Sequence, residues 1–323
     1  MLTDVLKGEL GFTGFLVSDW YGVYELSPSK YQAIVTAINA GVDMVMLPFD
    51  YKTFIHNVTK AVRVGDIPES RIDDAVQRIL KAKFALGLFD TGASTWESNR
   101  TGEDRALARE AVRESLVLLK NEGVLPILTT ATHIVVGGSS ADNVGRQNGA
   151  WTVEWQGIEG NVFPGATSVL EGLREVASPS VRIEYDRNGK FNTNEIADIG
   201  IAVVGEAPYA EGWGDTQHPT LSESDRKVIS ELKKVSKKLL VVLVTGRPLI
   251  ITDDLPHWDA LVVAWLPGSE GGGVADVLFG THLFTGKLPL PWPKSINQLP
   301  LKEGGVTANG TPLLFPRYSG QSY

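Results

Sequence analysis

No cysteine occurs in the 323 residues. That absence removes disulfides, thiolate nucleophiles and thiolate-bound metals from consideration. Histidine is scarce as well. The five, His56, His133, His218, His257 and His282, are scattered without metal-ligand spacing, so no metal site is expected. No run of about 18 apolar residues exists, which predicts no membrane-spanning helix. Positive charge is in deficit: the formal net charge is −8, and charged residues make up 21% of the chain. Nucleic-acid backbones are bound by clustered Lys and Arg, so a nucleic-acid partner is not expected. The opening Met1-Leu2-Thr3-Asp4-Val5 lacks the basic-then-apolar pattern of a secretory leader. Internal repeats and low-complexity tracts are missing too.

What is present suits two domains with a sizeable core, since 43% of residues are hydrophobic. Residues 1–90 read as alternating strands and helices. Phe15–Val17 and Val42–Leu47 are short apolar strands, the second closed by Pro48. Tyr31–Asn39 and Phe54–Val64 are helices stopped by Gly41 and Gly65. A third helix, with Ser70 as its cap, carries Ile72, Ala75, Val76, Ile79, Leu80 and Phe84 at helical spacing. Residues 91–108 read as a polar, Gly-containing linker, and 109–290 as an α/β sandwich. A helix is predicted from Gly102 to Lys120. Candidate strands then fall at 134–136, 181–185, 199–204, 239–244 and 260–265, with helices at 168–176, 224–236 and 271–279. The strands are continuous apolar runs, as in a mostly parallel, doubly wound sheet covered on both faces. Ligands of such sheets sit at the strands' carboxyl ends. Residues 291–323 form a Pro- and Gly-rich tail expected to wrap the surface.

Three segments carry candidate chemistry. The run Gly14-Phe15-Leu16-Val17 ends in Ser18-Asp19-Trp20. An Asp there ordinarily caps the following turn, but an indole beside the carboxylate supplies a flat face for a sugar ring. The strand at 199–204 runs into Gly205-Glu206-Ala207-Pro208-Tyr209-Ala210-Glu211-Gly212-Trp213-Gly214-Asp215, which is either a solvated loop or an arm delivering a carboxylic acid. Retaining glycoside hydrolysis needs two carboxyl groups about 5–5.5 Å apart, one as nucleophile and one as acid/base. The third segment is Trp151-Thr152-Val153-Glu154-Trp155. Two Trp four apart suit one face of a core helix, whereas the turn-like Gln147-Asn148-Gly149 before them favours a loop with exposed indoles.

The segments GFTGFLVSDW (11–20), AGVDMVM (40–46), RIDDAVQRILKAKFALGL (71–88), REAVRESLVLLKN (109–121), TGRP (245–248) and WLPGSEGGGVADVLFG (265–280) occur in order over essentially the whole chain. Together they resemble glycoside hydrolase family 3, nearest its β-glucosidase and exo-β-glucanase branch. The resemblance implies a (β/α)8 barrel followed by an α/β sandwich. It assigns Asp19 as nucleophile, Glu211 as acid/base with Glu206 as the alternative, and Trp20 and Trp155 as an aromatic clamp. Trp151 would line the same loop and Met46 would border the pocket. The implied partners are β-linked glucosides or glucan oligosaccharides, with no cofactor and no metal.

The resemblance has gaps. Two βα units fall short of the roughly 250 residues of a closed barrel. The chain therefore reads as the family's C-terminal portion, with an incomplete barrel remnant at 1–90 and a missing N-terminal barrel half as a potential partner. Hydrolysis by the isolated chain is not expected. Glu25 stands where relatives carry an Arg, which leaves linkage preference open. A non-catalytic carbohydrate-binding or complementation fragment is the alternative. A nucleotide-binding protein is disfavoured, because Gly137-Gly138-Ser139-Ser140 fits no G-x-G-x-x-G or Walker pattern. An N-acetylglucosaminidase is disfavoured by residues 132–290. Asn57, Asn99 and Asn309 lie in N-x-S/T sequences, and the full-length parent is expected to be periplasmic or secreted.

Overall fold

Five hydrophobic runs that pair side by side, and a sixth that enters from the other direction, make the sheet at the centre of this chain. The computed structural model describes residues 1–90, 102–128, 130–192, 195–301 and 311–323. These fall into two units, Met1–Ser98 and Asn99–Tyr323. In the second unit the elements run α4 (Gly102–Ser115), β1 (Val117–Asn121), β2 (His133–Gly137), α5 (Val144–Asn148), α6 (Val169–Val176), β3 (Arg182–Tyr185), β4 (Ala197–Gly205), α7 (Glu223–Lys234), β5 (Ser236–Val244), β6 (Ala260–Trp265) and α8 (Gly271–Leu278). The fold is mixed α/β. The strand order is β1-β6-β5-β4-β2-β3, and every pairing is parallel except β1 with β6.

Strand side chains alternate between faces, so each run feeds two cores. Ile134, Val136, Ile201, Val203, Leu240 and Val242 join the core that includes residues of α6 and α8. Val135, Ala202, Val204, Val241 and Leu243 join the opposite core, which includes residues of α7. The same alternation corrects the helix predicted to reach Lys120. The helix stops at Ser115, and Val117 and Leu119 enter one core while Leu118 enters the other. A run needed on both faces of a sheet cannot be the end of a one-sided helix. The helix predicted from Gly102 does begin there, so α4 takes in 102–108 of the segment read as a linker. Residues 91–101, with Asn99, and Asn309 lie outside the described residues. Asn57 sits in a helix of the first unit.

The tail is also more than a surface wrap. Trp292 is fully buried and donates its indole N–H to Leu249 O at 2.7 Å, and Gln321 N donates to Leu118 O at 2.8 Å.

Helix α4 presents Arg105, Arg109 and Arg113 four residues apart, on one face. Arg109 grips Asp276 of α8 through Nε (2.7 Å) and Nη2 (2.8 Å), and Arg113 Nε reaches the same carboxylate at 2.6 Å. Arg105 holds Glu270 in the same two-pronged way, at 2.9 and 3.1 Å. Both acids are buried.

The first unit contains α1 (Lys30–Ala40), α2 (Tyr51–Val64) and α3 (Glu69–Ala85) around a small core of Val23, Ile34, Ala37, Ile38, Ala61 and Ile67. Ser70 is not the cap of α3. The helix starts at Glu69, behind the extended Pro68 (φ −61°, ψ 137°), so Ser70 falls inside the first turn. The predicted strands at 15–17 and 42–47 reduce to one parallel bridge, Val17 to Met44. Among the described residues each segment bridges only to the other, and both bridge residues stay 47% exposed.

Asp43 holds these pieces together. Its side chain is fully buried and accepts from Lys7 Nζ (2.8 Å), Leu16 N (2.8 Å) and Arg71 Nη2. Burial pushes its pKa upward, but the hydrogen bonds from Lys7, Leu16 and Arg71 and the Lys7 charge outweigh it and leave the group below the usual carboxylate range.

Asp276 follows the same balance. Burial raises its pKa, the hydrogen bonds and charges of Arg109 and Arg113 lower it by more, and the net shift is downward from 3.8. A depressed carboxylate stabilises the fold above its unfolded-state value and loses that contribution as pH falls through the folded one. Asp276→Asn should therefore cost on the order of 3 kcal/mol at pH 7, as breaking a buried ion pair does. Urea unfolding should show the difference from the wild-type chain shrinking below about pH 4.

Candidate active site

Two sets of site residues result, one in each unit. In the first, the chain turns sharply after the Val17–Met44 bridge. Asp19 lies on that turn, exposed, with Oδ1 accepting from Trp20 N at 2.7 Å and its carbonyl accepting from Gly22 N at 3.2 Å. The carboxylate thus bonds only the next residue's amide, through one oxygen, and does not cap the 3-10 turn at Gly22–Leu26, whose N-cap Tyr21 has no side-chain cap bond. No donor among the described residues reaches Oδ2. Trp20 is exposed beside it. Met46 is tied to the same turn from across the bridge: its N–H donates to Ser18 Oγ at 2.9 Å, and its carbonyl accepts from Tyr21 N at 3.0 Å. Asp19, Trp20 and Met46 are therefore neighbours by construction of the backbone.

In the second unit the set is built at the carboxyl end of β4. Gly205 ends that strand with φ +150°, and a Cβ there would lie 1.8 Å from Val244 O of β5. Only glycine lets β4 leave the sheet at this point. Glu206 follows immediately and is half-buried. Its Oε1 accepts from Arg247 Nε (2.9 Å) and Nη2 (2.6 Å), and its Oε2 lies 2.7 Å from Thr245 Oγ1 and 3.2 Å from the Tyr209 hydroxyl. Arg247 also donates through Nη1 to Gly214 O at 2.6 Å and stacks over the Tyr209 ring at 4.5 Å. One guanidinium thereby ties the start of the 206–214 loop to its end. Burial, followed by the Glu206 charge, pushes the Tyr209 hydroxyl up to about 12.

Glu211 stands at the far side of this loop. It is exposed, sits in the left-handed region at φ +50°, and opens a short 3-10 turn over Glu211–Gly214. Ala210 N donates to Gln156 Oε1 at 2.8 Å, joining the loop to the one at 151–156. That second loop is a tight reversal, not a helix. Trp151 N donates to Trp155 O at 3.1 Å, Thr152 bridges to Glu154, and Trp151 and Val153 adopt φ +59° and +66°. Trp151 and Trp155 are accordingly exposed, by 69% and 45%. Their rings lie 6.4 Å apart, and Trp155 lies 6.4 Å from Trp213, which is 78% exposed.

Sequence reasoning singled out neither Trp213 nor the role of Arg247. A Trp between two glycines beside the candidate acid was the available signal for the first. The Thr-Gly-Arg-Pro turn directly after a strand was the signal for the second. Among the described residues, no cluster of three or more acids and histidines is placed to hold a metal ion.

The two glutamates differ in a measurable way. Glu206→Gln removes the charge that pairs with Arg247 and should destabilise the second unit by about 2 kcal/mol. Amide exchange at 207–214 should quicken with it. Glu211→Gln should leave stability within about 0.5 kcal/mol, as exposed positions do.

The family description "Glycosyl hydrolase family 3 N terminal domain" matches residues 1–82, and "Glycosyl hydrolase family 3 C-terminal domain" matches 116–323. A lysosomal beta glucosidase of Dictyostelium discoideum is 35% identical over all of this chain and 43% of its own length. A periplasmic beta-glucosidase of Salmonella typhimurium is 30% identical over 93% of this chain and 44% of its own. The chain thus spans less than half the length of these two relatives. Among solved structures, an exo-1,3/1,4-beta-glucanase of a Pseudoalteromonas species superposes with a TM-score of 0.86 at 40% identity, covering 100% of this chain and 54% of that one. A beta-glucosidase of Listeria innocua in complex with glucose does so at 0.80 and 27% identity, covering 99% and 48%. Both family descriptions match in chain order, and the C-terminal one spans most of the residues; the chain belongs to glycoside hydrolase family 3.

Proposed function

We propose that this chain supplies the nucleophile and the acid/base of a retaining β-glucoside hydrolase that releases glucose from β-glucosides or β-glucans. The observation that carries the reading is the Asp19 carboxylate: exposed, oriented through one oxygen by Trp20 N–H, and open at the other. In the first step that oxygen attacks the anomeric carbon. The glycosidic C–O bond breaks as Glu211 gives its proton to the departing oxygen, and a glycosyl ester on Asp19 forms. In the second step Glu211 takes a proton from water. The water oxygen attacks the anomeric carbon, the ester bond breaks, and glucose leaves with its β configuration retained. Trp20 and Trp155 flank the sugar, Trp151 extends that surface, and Met46 borders the pocket. Glu206 is assigned to support rather than proton transfer, because its lone pairs already face Arg247, Thr245 and Tyr209. Names of similar proteins support the substrate class: exo-1,3/1,4-beta-glucanase, and a beta-glucosidase in complex with laminaribiose.

The first unit is read as two βα units of a (β/α)8 barrel. A lone bridge with half-exposed partners is a poor pocket wall. The 323-residue polypeptide assayed by itself should therefore be inactive, and the remaining barrel strands, in cis or in trans, should restore activity. Fusion behind the N-terminal part of the Pseudoalteromonas relative should hydrolyse 4-nitrophenyl β-glucoside and release the β-anomer first by NMR. Asp19→Asn in the fusion should lower kcat at least about 1,000-fold. Full turnover in that variant would sink the assignment.

A second reading, sugar binding without catalysis, draws on the exposed Trp151, Trp155 and Trp213. Laminaribiose should shift the tryptophan emission of the isolated chain, and Trp155→Ala should abolish that shift.

A further inference from the structure

A crevice of about 900 Å³ opens at the carboxyl edge of the sheet in the second unit. Its place is set by topology. From β2 the chain moves outward to β3, while β4 pairs on the other side of β2, so the winding reverses between β2 and β4. Open α/β sheets bind ligands at such a reversal, where loops from neighbouring strands part. Ser139, just beyond β2, and Gly205, the last residue of β4, line it. The Gly138 backbone before Ser139 adopts φ +118°, and a Cβ there would lie 2.0 Å from Val203 O.

The charge of the lining is unlike that of the whole chain. Arg146, Arg187, Lys190 and Lys227 contribute four cations against the carboxylates of Glu206 and Asp225, in a protein of net charge −8. Glu206 is already matched by Arg247. Asp225 is buried and accepts from Ser139 Oγ at 3.0 Å. Asp186, nearby in sequence, turns its Oδ1 onto the backbone N–H groups of Asn188 and Lys190. Glu159 is shared between Arg146 (3.0 Å) and Arg187 (3.8 Å), so two guanidiniums face one carboxylate. Lys190 and Lys227 make no ion pair among the described residues. Glu231, which their charges influence, is itself hydrogen-bonded to Lys234 at 2.8 Å. Tyr209 and Trp213 add aromatic surface to the lining.

We propose that this crevice binds an anionic saccharide, a sugar ring carrying a phosphate or sulfate ester. The ester meets Arg187, Lys190 and Lys227, and the ring lies against Tyr209 and Trp213. Two ammonium groups with no ion pair among the described residues and a half-satisfied guanidinium suit an ester oxyanion rather than a neutral glucan. The aromatic surface suits the apolar face of a pyranose. This assignment does not rest on the hydrolase reading, because its residues differ from the proposed nucleophile, acid/base and clamp.

Isothermal titration of the 323-residue chain at constant ionic strength tests it, with glucose 6-phosphate, glucose 6-sulfate, inorganic phosphate and glucose as probes. At least one ester should bind about ten-fold or more tightly than glucose, a difference of about 1.4 kcal/mol. The tighter ester names the source of the oxyanion. Lys190→Ala/Lys227→Ala should abolish that advantage while keeping the wild-type Tm. Trp213→Ala should reduce the ester to the affinity of inorganic phosphate. Esters that bind no better than glucose, or an ester affinity unchanged in the double lysine variant, would overturn the proposal.

Discussion

The contact between Glu206 and Arg247 is the one on which the second unit's functional surface depends. Strands β4 and β5 run in parallel register up to Gly205 and Val244, and their loops then separate. Without a tether, a loop of glycines, a proline and small residues would be free to sample many conformations. A carboxylate on the first loop residue and a guanidinium three residues beyond β5 close that gap. Because the same guanidinium also reaches Gly214 O, it fixes both ends of the segment that carries Glu211 and Trp213. One ion pair, partly sheltered from water, thereby sets the wall of the crevice and the stance of the candidate acid.

The first unit solves a similar problem with fewer resources. Its two strand segments share one bridge, and its apolar core is small. Asp43 compensates by drawing Lys7, the Leu16 amide and Arg71 onto a single buried carboxylate. Residues distant in sequence thus meet on one carboxylate that also holds the Leu16 amide, in the segment leading to the turn that carries Asp19. A charge cluster does here what hydrophobic layers do in the second unit, and it holds Ser18 and Met46 together at one backbone junction.

Much of this is legible in the amino-acid sequence. The runs at 199–204, 239–244 and 260–265 are apolar throughout, and that pattern suits strands covered on both faces. Val117-Leu118-Leu119 carried the same signal, but the helical periodicity upstream masked it. Ser70 was misplaced because a hydroxyl near a helix start is a common cap, while the extended backbone of Pro68 had already begun the helix. The exposed Trp151 and Trp155 followed from the turn-like residues before them. The Thr-Gly-Arg-Pro turn marks Arg247, but its partners Glu206 and Gly214, the bond from Ala210 to Gln156 and the meeting of the crevice lysines were not legible, because each joins residues more than 30 apart in sequence and no local pattern encodes that proximity. The catalytic roles came from the ordered likeness to a family, and the geometry alone contributes the open oxygen of Asp19 and the fully engaged lone pairs of Glu206.

Gly138 and Gly205 have a consequence beyond the sheet. Gly138 directly follows β2 and Gly205 closes β4, each with a neighbouring strand's carbonyl occupying the space of its missing side chain. Neither has an atom that could react, stack or carry charge. In a saturation scan of the active fusion scored only by product formed, both would nonetheless rank with the residues proposed to do the chemistry. Intolerance at a position is therefore not a map of the proposed site unless abundance of folded chain is measured beside it.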